Sequence, residues 1–180
     1  MLIRSKIAVG LAAALSVSAV GGVAFAATQG SLGSTSTGTS SLSATVTDLV
    51  QIKDIQDISI NGTDTSLPKT GTGTACVYSN ATSNAYKITA TSANSSGGGA
   101  FTVQSGSNTM DYTLQWSGKG GSPITLTSGT QSATVFTGND SATCASGDLS
   151  TANVSIPAAT WTTSPAGDYA DTLTLVVAPN

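Results

Sequence analysis

The 180-residue chain predicts an all-β fold, an antiparallel sandwich or barrel, and three observations carry that reading. Apolar residues recur at every second position in about eight short runs, the period of a half-buried strand. Gly, Ser, Asn and Pro separate those runs, and these residues form turns. Ser and Thr number 27 and 29, and β-branched Thr suits the solvated face of a strand.

The N-terminus is of a different kind. Arg4 and Lys6 precede an apolar run from Ile7 to Phe25, which closes on Ala24-Phe25-Ala26. A basic start, an apolar centre and a small-x-small end predict a secretory signal peptide over residues 1–26. The run is near the length of a membrane span. Polar Ala27-Thr28-Gln29-Gly30 follows it without a basic stop-transfer cluster, so the expectation is cleavage and export. Residues 27–41 read as a flexible polar leader in which only Leu32 is sizeable and apolar. The β-domain is then expected over 42–180, with four lysines and nine aspartates from position 27 onward.

Each run is justified by its own alternation. Leu42, Ala44 and Val46 alternate with Ser43, Thr45 and Thr47, and the phase continues through Val50 and Ile52. Ile58 and Ile60 make a second short run, ended by the Asn61-Gly62 turn signal. Residues 68–74 read as a loop rich in Gly and Thr. Strands resume with Tyr86, Ile88 and Ala90, then with Phe101 and Val103 behind Gly97-Gly98-Gly99. In Met110-Asp111-Tyr112-Thr113-Leu114-Gln115-Trp116 every even position is large and apolar. Val135, the pair Val154 and Ile156 before Pro157, and Leu173, Leu175 and Val177 complete the set.

The composition excludes much chemistry. The chain has no His and no Glu, and 8% of it is charged. No Ser–His or Cys–His nucleophile pair is therefore available, nor any His-ligated metal. Six basic residues are too few to neutralise a nucleic-acid backbone. No enzyme activity, metal or cofactor is expected. Cys76 and Cys144, an even pair in an exported chain, read as one disulfide closing 68 residues, worth at most about 4 kcal/mol by chain entropy. Asp48, Asp54 and Asp57 lie close in sequence but read as solvated loop carboxylates rather than a glycosidase pair. Asn61-Gly62-Thr63-Asp64 and Gly138-Asn139-Asp140 do not complete a calcium-loop spacing. Trp116 reads as core; Trp161 and Tyr78 are open to sugar stacking. Sequons at Asn61, Asn80, Asn94, Asn139 and Asn153 are expected by chance in so hydroxyl-rich a chain.

The tail from Pro165 to Val177 resembles the C-terminal strand of chaperone–usher pilins, in particular spore coat protein U-type and archaic or alternate fimbrial subunits. Those families close on Gly-x-Tyr-x-Asp followed by alternating Thr and aliphatic residues, and Gly167, Tyr169 and Asp171 occupy the three positions. The likeness is looser over Ala75-Cys76-Val77-Tyr78, Tyr86-Lys87-Ile88-Thr89 and Tyr112-Thr113-Leu114.

The resemblance implies an Ig-like antiparallel β-sandwich lacking one strand. A periplasmic chaperone first lends that strand, and the N-terminal extension of the next subunit then replaces it at an outer-membrane usher, by β-augmentation. It implies a structural subunit of an extracellular fimbria, made of identical or related subunits and serving adhesion or biofilm formation. Such a subunit passes through the periplasm to the cell surface, with no membrane contact after cleavage and no nucleic acid. Leu42, Ala44 and Val46, within 42–48, are the donor-strand candidates; the alternatives are that this run is the first strand of its own sheet, or folds back to complement its own domain. The leader residues before Leu42 are small for a donor. Asp171 shares the phase of Tyr169 and Leu173, so it points inward and needs a partner, for which a backbone N–H or a hydroxyl fits better than a lysine. The rival function is a monomeric secreted carbohydrate-binding β-sandwich using Trp161 or Tyr78.

Overall fold

A computed structural model describes residues 27–180 apart from 65, 96 and 145–147, so the expected signal peptide lies outside the described residues. The chain divides into two units, 1–46 and 47–180. In the first, Thr28 and Thr39 exchange backbone hydrogen bonds of 3.0 and 3.1 Å. Leu42, Ala44 and Val46 are exposed there and lie in no strand.

The second unit is built from nine strands: β1 (Val50–Lys53), β2 (Lys69–Ser79), β3 (Ala85–Ser92), β4 (Phe101–Ser105), β5 (Asn108–Ser117), β6 (Ile124–Thr125), β7 (Phe136–Thr137), β8 (Ser150–Ile156) and β9 (Leu173–Pro179). A single short helix, α1 (Ala158–Thr163), follows β8, and a 3₁₀ turn (Thr82–Asn84) precedes β3. One sheet runs β1-β2-β8-β5-β4, with β6 also on β5; the other runs β7-β3-β9. All strand pairs are antiparallel. β2 pairs with β8 from Lys69↔Ile156 to Ala75↔Ser150, and β3 pairs with β9 from Tyr86↔Pro179 to Ser92↔Leu173.

This is a β-sandwich. In immunoglobulin lettering, where A-B-E-D faces C-F-G, β1-β2-β8-β5 correspond to A-B-E-D and β3-β9 to C-F. No strand occupies the place of G among the described residues.

Period two decides the faces. Met110, Tyr112, Leu114 and Trp116 of β5 are buried, while Asp111 and Thr113 between them are exposed. The outward face of this sheet carries hydroxyls and amides. Thr72 Oγ1 donates to Asn153 Oδ1 at 3.2 Å, and Gln115 Nε2 donates to Thr125 Oγ1 at 3.4 Å. Inside, Trp116 Nε1–H donates to Tyr86 Oη at 2.9 Å, and that hydroxyl meets Ser150 Oγ at 3.0 Å. The chain Trp116–Tyr86–Ser150 joins the two sheets and leaves no aromatic polar tip unpartnered in the core. Burial pushes the Tyr86 hydroxyl above the ordinary tyrosine range.

Five elements differ from the expectation. Residues 69–79 form one continuous strand, where 68–74 read as a loop. Gly71 and Gly73 stand at inward positions of β2 because Ile58 and Ile60 lie over them. A Cβ on Gly71 would sit 2.7 Å from both isoleucines, and one on Gly73 would sit 2.8 Å from Ile58. The Ile58/Ile60 alternation therefore marks a covering segment, which is in no strand. Of the run from Leu42 to Ile52, only Val50 onward enters β1. At Val135 the strand is instead Phe136–Thr137: Phe136 is buried against Tyr86, with ring centroids 5.8 Å apart, and Val135 is exposed. Helix α1 has too few turns to show a period.

Replacing Gly73 with Val should therefore destabilise the domain by about 1–3 kcal/mol, the usual cost of overpacking. Urea unfolding monitored through the buried Trp116 measures this, with a lowered midpoint as the expected outcome.

Candidate functional site: the groove along β9

β9 is hydrogen-bonded to β3 on one side and, although β1 passes close to it, has no hydrogen-bonded strand on the other among the described residues. Its exposed edge presents backbone N–H and C=O groups in the way that templates pairing with another strand. Beside this edge the sandwich is open, and a groove of about 830 Å³ runs between the sheets. Tyr112, Trp116, Ala152 and Val154, from the inner faces of β5 and β8, form its floor. Leu173 and Leu175 form the β9 wall, and Ile58 and Ile60 the opposite one. Trp161 of α1, partly buried against the core, also lines it. The lining is mixed: these aliphatic and aromatic side chains share it with polar ones, among them Gln56, Asp57, Asn61, Asp168 and Asp171.

The Gly-x-Tyr-x-Asp segment lies along the same groove and carries the chain from one sheet to the other. Gln104 on β4 and Ala170 exchange backbone hydrogen bonds of 2.9 and 3.0 Å, so the segment first pairs with the large sheet. Ala93 N–H then donates to Thr172 O at 3.0 Å as the chain enters the small sheet. Gly167 does not have positive φ; it is small because a Cβ would stand 3.0 Å from Ser105 Oγ. Tyr169 Oη–H donates to Pro165 O at 3.0 Å and ties the loop to its own start.

Asp171 is half-buried and well partnered. Tyr112 Oη–H donates to Asp171 Oδ2 at 2.7 Å. The Asn94 backbone N–H and side-chain amide donate to Oδ1 at 3.3 and 3.2 Å. A hydroxyl and a backbone N–H hold the carboxylate, as its phase in the sequence led one to expect. Tyr112 and Asn94 themselves were missed: Tyr112 reads only as core, and Asn94 only as a loop residue. Burial first, and then the adjacent Asp171 carboxylate, push the Tyr112 hydroxyl far above the ordinary tyrosine range.

Cys76 on β2 and Cys144 form a disulfide, with Cα atoms 5.9 Å apart. Asn139, fully buried, packs beside it and donates through Nδ2 to Asp148 O at 2.7 Å and to Cys144 Sγ at 3.0 Å, so this sequon residue is engaged inside the fold. The bond ties the end of β2 to the loop before β8 and is not part of the groove. Asp54 forms an ion pair with Lys53 at 3.7 Å. Asp64 accepts hydrogen bonds from Ser66, which hold its carboxyl below the usual value. No cluster of three metal-ligating side chains occurs among the described residues.

No protein-family model matches the chain, and no curated protein does. In shape it is similar to a chain of a solved chaperone-tip adhesin complex of CFA/I fimbriae biogenesis, with a TM-score of 0.49 and 17% sequence identity. The match covers 73% of this chain and 41% of that one. The chain thus spans less than half of that neighbour's length, and a likeness at this level assigns neither family nor function.

The Tyr112–Asp171 contact gives a pH dependence of known sign. A tyrosine whose folded value is raised contributes its stability in full below the ordinary value of 10.0 and loses it as pH rises beyond that. Urea midpoints should hold up to about pH 10 and fall above it. Tyr112→Phe should weaken that alkaline fall and cost roughly 1–2 kcal/mol at pH 7, because Asp171 loses its hydroxyl donor.

Proposed function

We propose that the protein is a non-catalytic structural subunit of an extracellular fibre, a fimbrial subunit joined to its neighbours by donor-strand exchange. The observation that carries this reading is the unpaired edge of β9 beside a groove of about 830 Å³ partly lined by aliphatic and aromatic side chains. An added strand at that edge takes the place of strand G, satisfies the backbone groups of β9 and covers Leu173 and Leu175. β-Augmentation works in this way: main-chain hydrogen bonds give affinity and alternate side chains give register.

The donor is the segment 42–48. Its exposed Leu42, Ala44 and Val46 alternate with polar residues, and its length matches β9, a seven-residue strand of roughly 20 Å. Burying Leu42 and Val46 contributes about 1.5–3 kcal/mol each. Before a neighbour arrives, the groove needs a temporary cover, the role of a periplasmic chaperone, and assembly at an outer-membrane usher follows. The disulfide fits an oxidising compartment on that route. Attachment to surfaces or biofilm formation is the resulting biology.

The full chain should assemble into polymers that survive SDS without heating. Val46→Asp places a charge in the donor and should abolish these ladders while leaving the circular dichroism spectrum of the subunit unchanged. Ladders of wild-type intensity from this variant would refute the donor assignment.

A further inference from the structure

The residues just before β1 are held by one side chain. Asn80, the first residue after β2, donates its backbone N–H to Leu49 O at 3.1 Å. Its Oδ1 accepts the Leu49 N–H, and its Nδ2 donates to Thr47 O at 3.0 Å. One flat amide meets a carbonyl and an N–H two residues apart in this way along an extended chain, whereas in a helical turn those groups point in opposite directions. The Asn80 amide is thus an extra rung beyond Val50↔Ser79, the last backbone pair of β1 and β2. It keeps 47–49 straight.

The position of this rung matters because of where β9 ends. Ser79 Oγ donates to Ala85 O at 2.9 Å, and Asn180 N–H donates to the same carbonyl. The rung therefore lies at the C-terminal end of β9, whereas Leu173 and Leu175, which line the groove, lie toward its start. For its own groove, segment 42–46 would have to reverse and run back along β9. With 47–49 held straight, the reversal must be made from 42–46 itself. A tight turn takes two residues and leaves about three, roughly 10 Å of strand, half the length of β9.

We propose that Asn80 is the residue that makes strand donation intermolecular: by holding 47–49 against the end of β2, it withholds segment 42–46 from its own groove and leaves it for the groove of a second copy. This rests on the groove being a strand acceptor. The restraint is needed on concentration grounds. A strand tethered by a short flexible linker has an effective concentration in the millimolar range, so a segment able to fold back would exclude any micromolar neighbour. Asn80 positions the donor and does not line the groove.

The test uses the full chain and a labelled peptide of residues 42–48. Asn80→Ala frees 47–49 to form the turn, so the ratio of SDS-resistant polymer to monomer should fall by about tenfold or more, and peptide uptake by a similar factor. Wild-type ladders and wild-type uptake in this variant overturn the proposal. An Asn-Gly pair inserted between Val46 and Thr47 supplies a turn outside the clamp with Asn80 intact. It should give the same shift to monomer, and this decides the matter should Asn80→Ala fail to fold; unchanged polymer there overturns the proposal as well. Failure of the underlying reading looks different: the wild-type protein then takes up no peptide at all.

Discussion

A strand of aliphatic residues with hydrogen-bonding partners on one edge only is the constraint on which the rest of this structure depends. β9 cannot be moved inward, because its register with β3 places Leu173, Leu175 and Val177 against the core. From the large sheet β1 passes close to it, but β1 is hydrogen-bonded to β2 and not to β9. What remains is a gap between the sheets that the chain covers only in part. Ile58 and Ile60 occupy one side of it, and they fit because Gly71 and Gly73 have no side chains. The glycines in β2, the segment over them and the groove thus belong to one arrangement along the side of β9 that has no hydrogen-bonded strand among the described residues.

The two sheets hold together across this gap through fixed points at its margins. The Trp116–Tyr86–Ser150 hydrogen bonds cross the core from one sheet to the other. At the groove itself, Asp171 gathers Tyr112 from the large sheet and Asn94 from the loop after β3. A carboxylate here does what an apolar residue cannot: it accepts several hydrogen bonds at a crossing where the backbone leaves one sheet for the other, where regular ladder bonds are interrupted. Tyr169 fixes the approach to the crossing by bonding to Pro165.

Much of this was legible in the sequence. β5 could be read residue by residue, since a strand buried on one face shows its alternation without interference. β3, β8 and the Leu173–Val177 run were equally plain. The first half of β2 was not, because glycine at an inward position carries no apolar signal: its cause lies in Ile58 and Ile60, residues distant in sequence. Phe136 was displaced by one position from the expected Val135 because the pairing partner, Tyr86, selects an aromatic neighbour. Asp171 announced its need for a partner, but a sequence does not show which hydroxyl the fold brings to it. Asn80 stood out only as one of several chance sequons, because its partners at Thr47 and Leu49 are distant in sequence.

The pairings that make the sandwich also set its timing. Lys69 must find Ile156, and Tyr86 must find Pro179, partners separated by most of the domain. Folds dominated by such distant pairings form in milliseconds to seconds, slower than helical proteins by orders of magnitude. β9 is last in chain order among the described strands, so β3 waits, one edge bare, until β9 has emerged. Throughout that interval the inner faces of both sheets are open to other nascent chains, the condition under which β-rich intermediates aggregate. The interval, and not only the finished groove, leaves the apolar faces of this sandwich exposed to association.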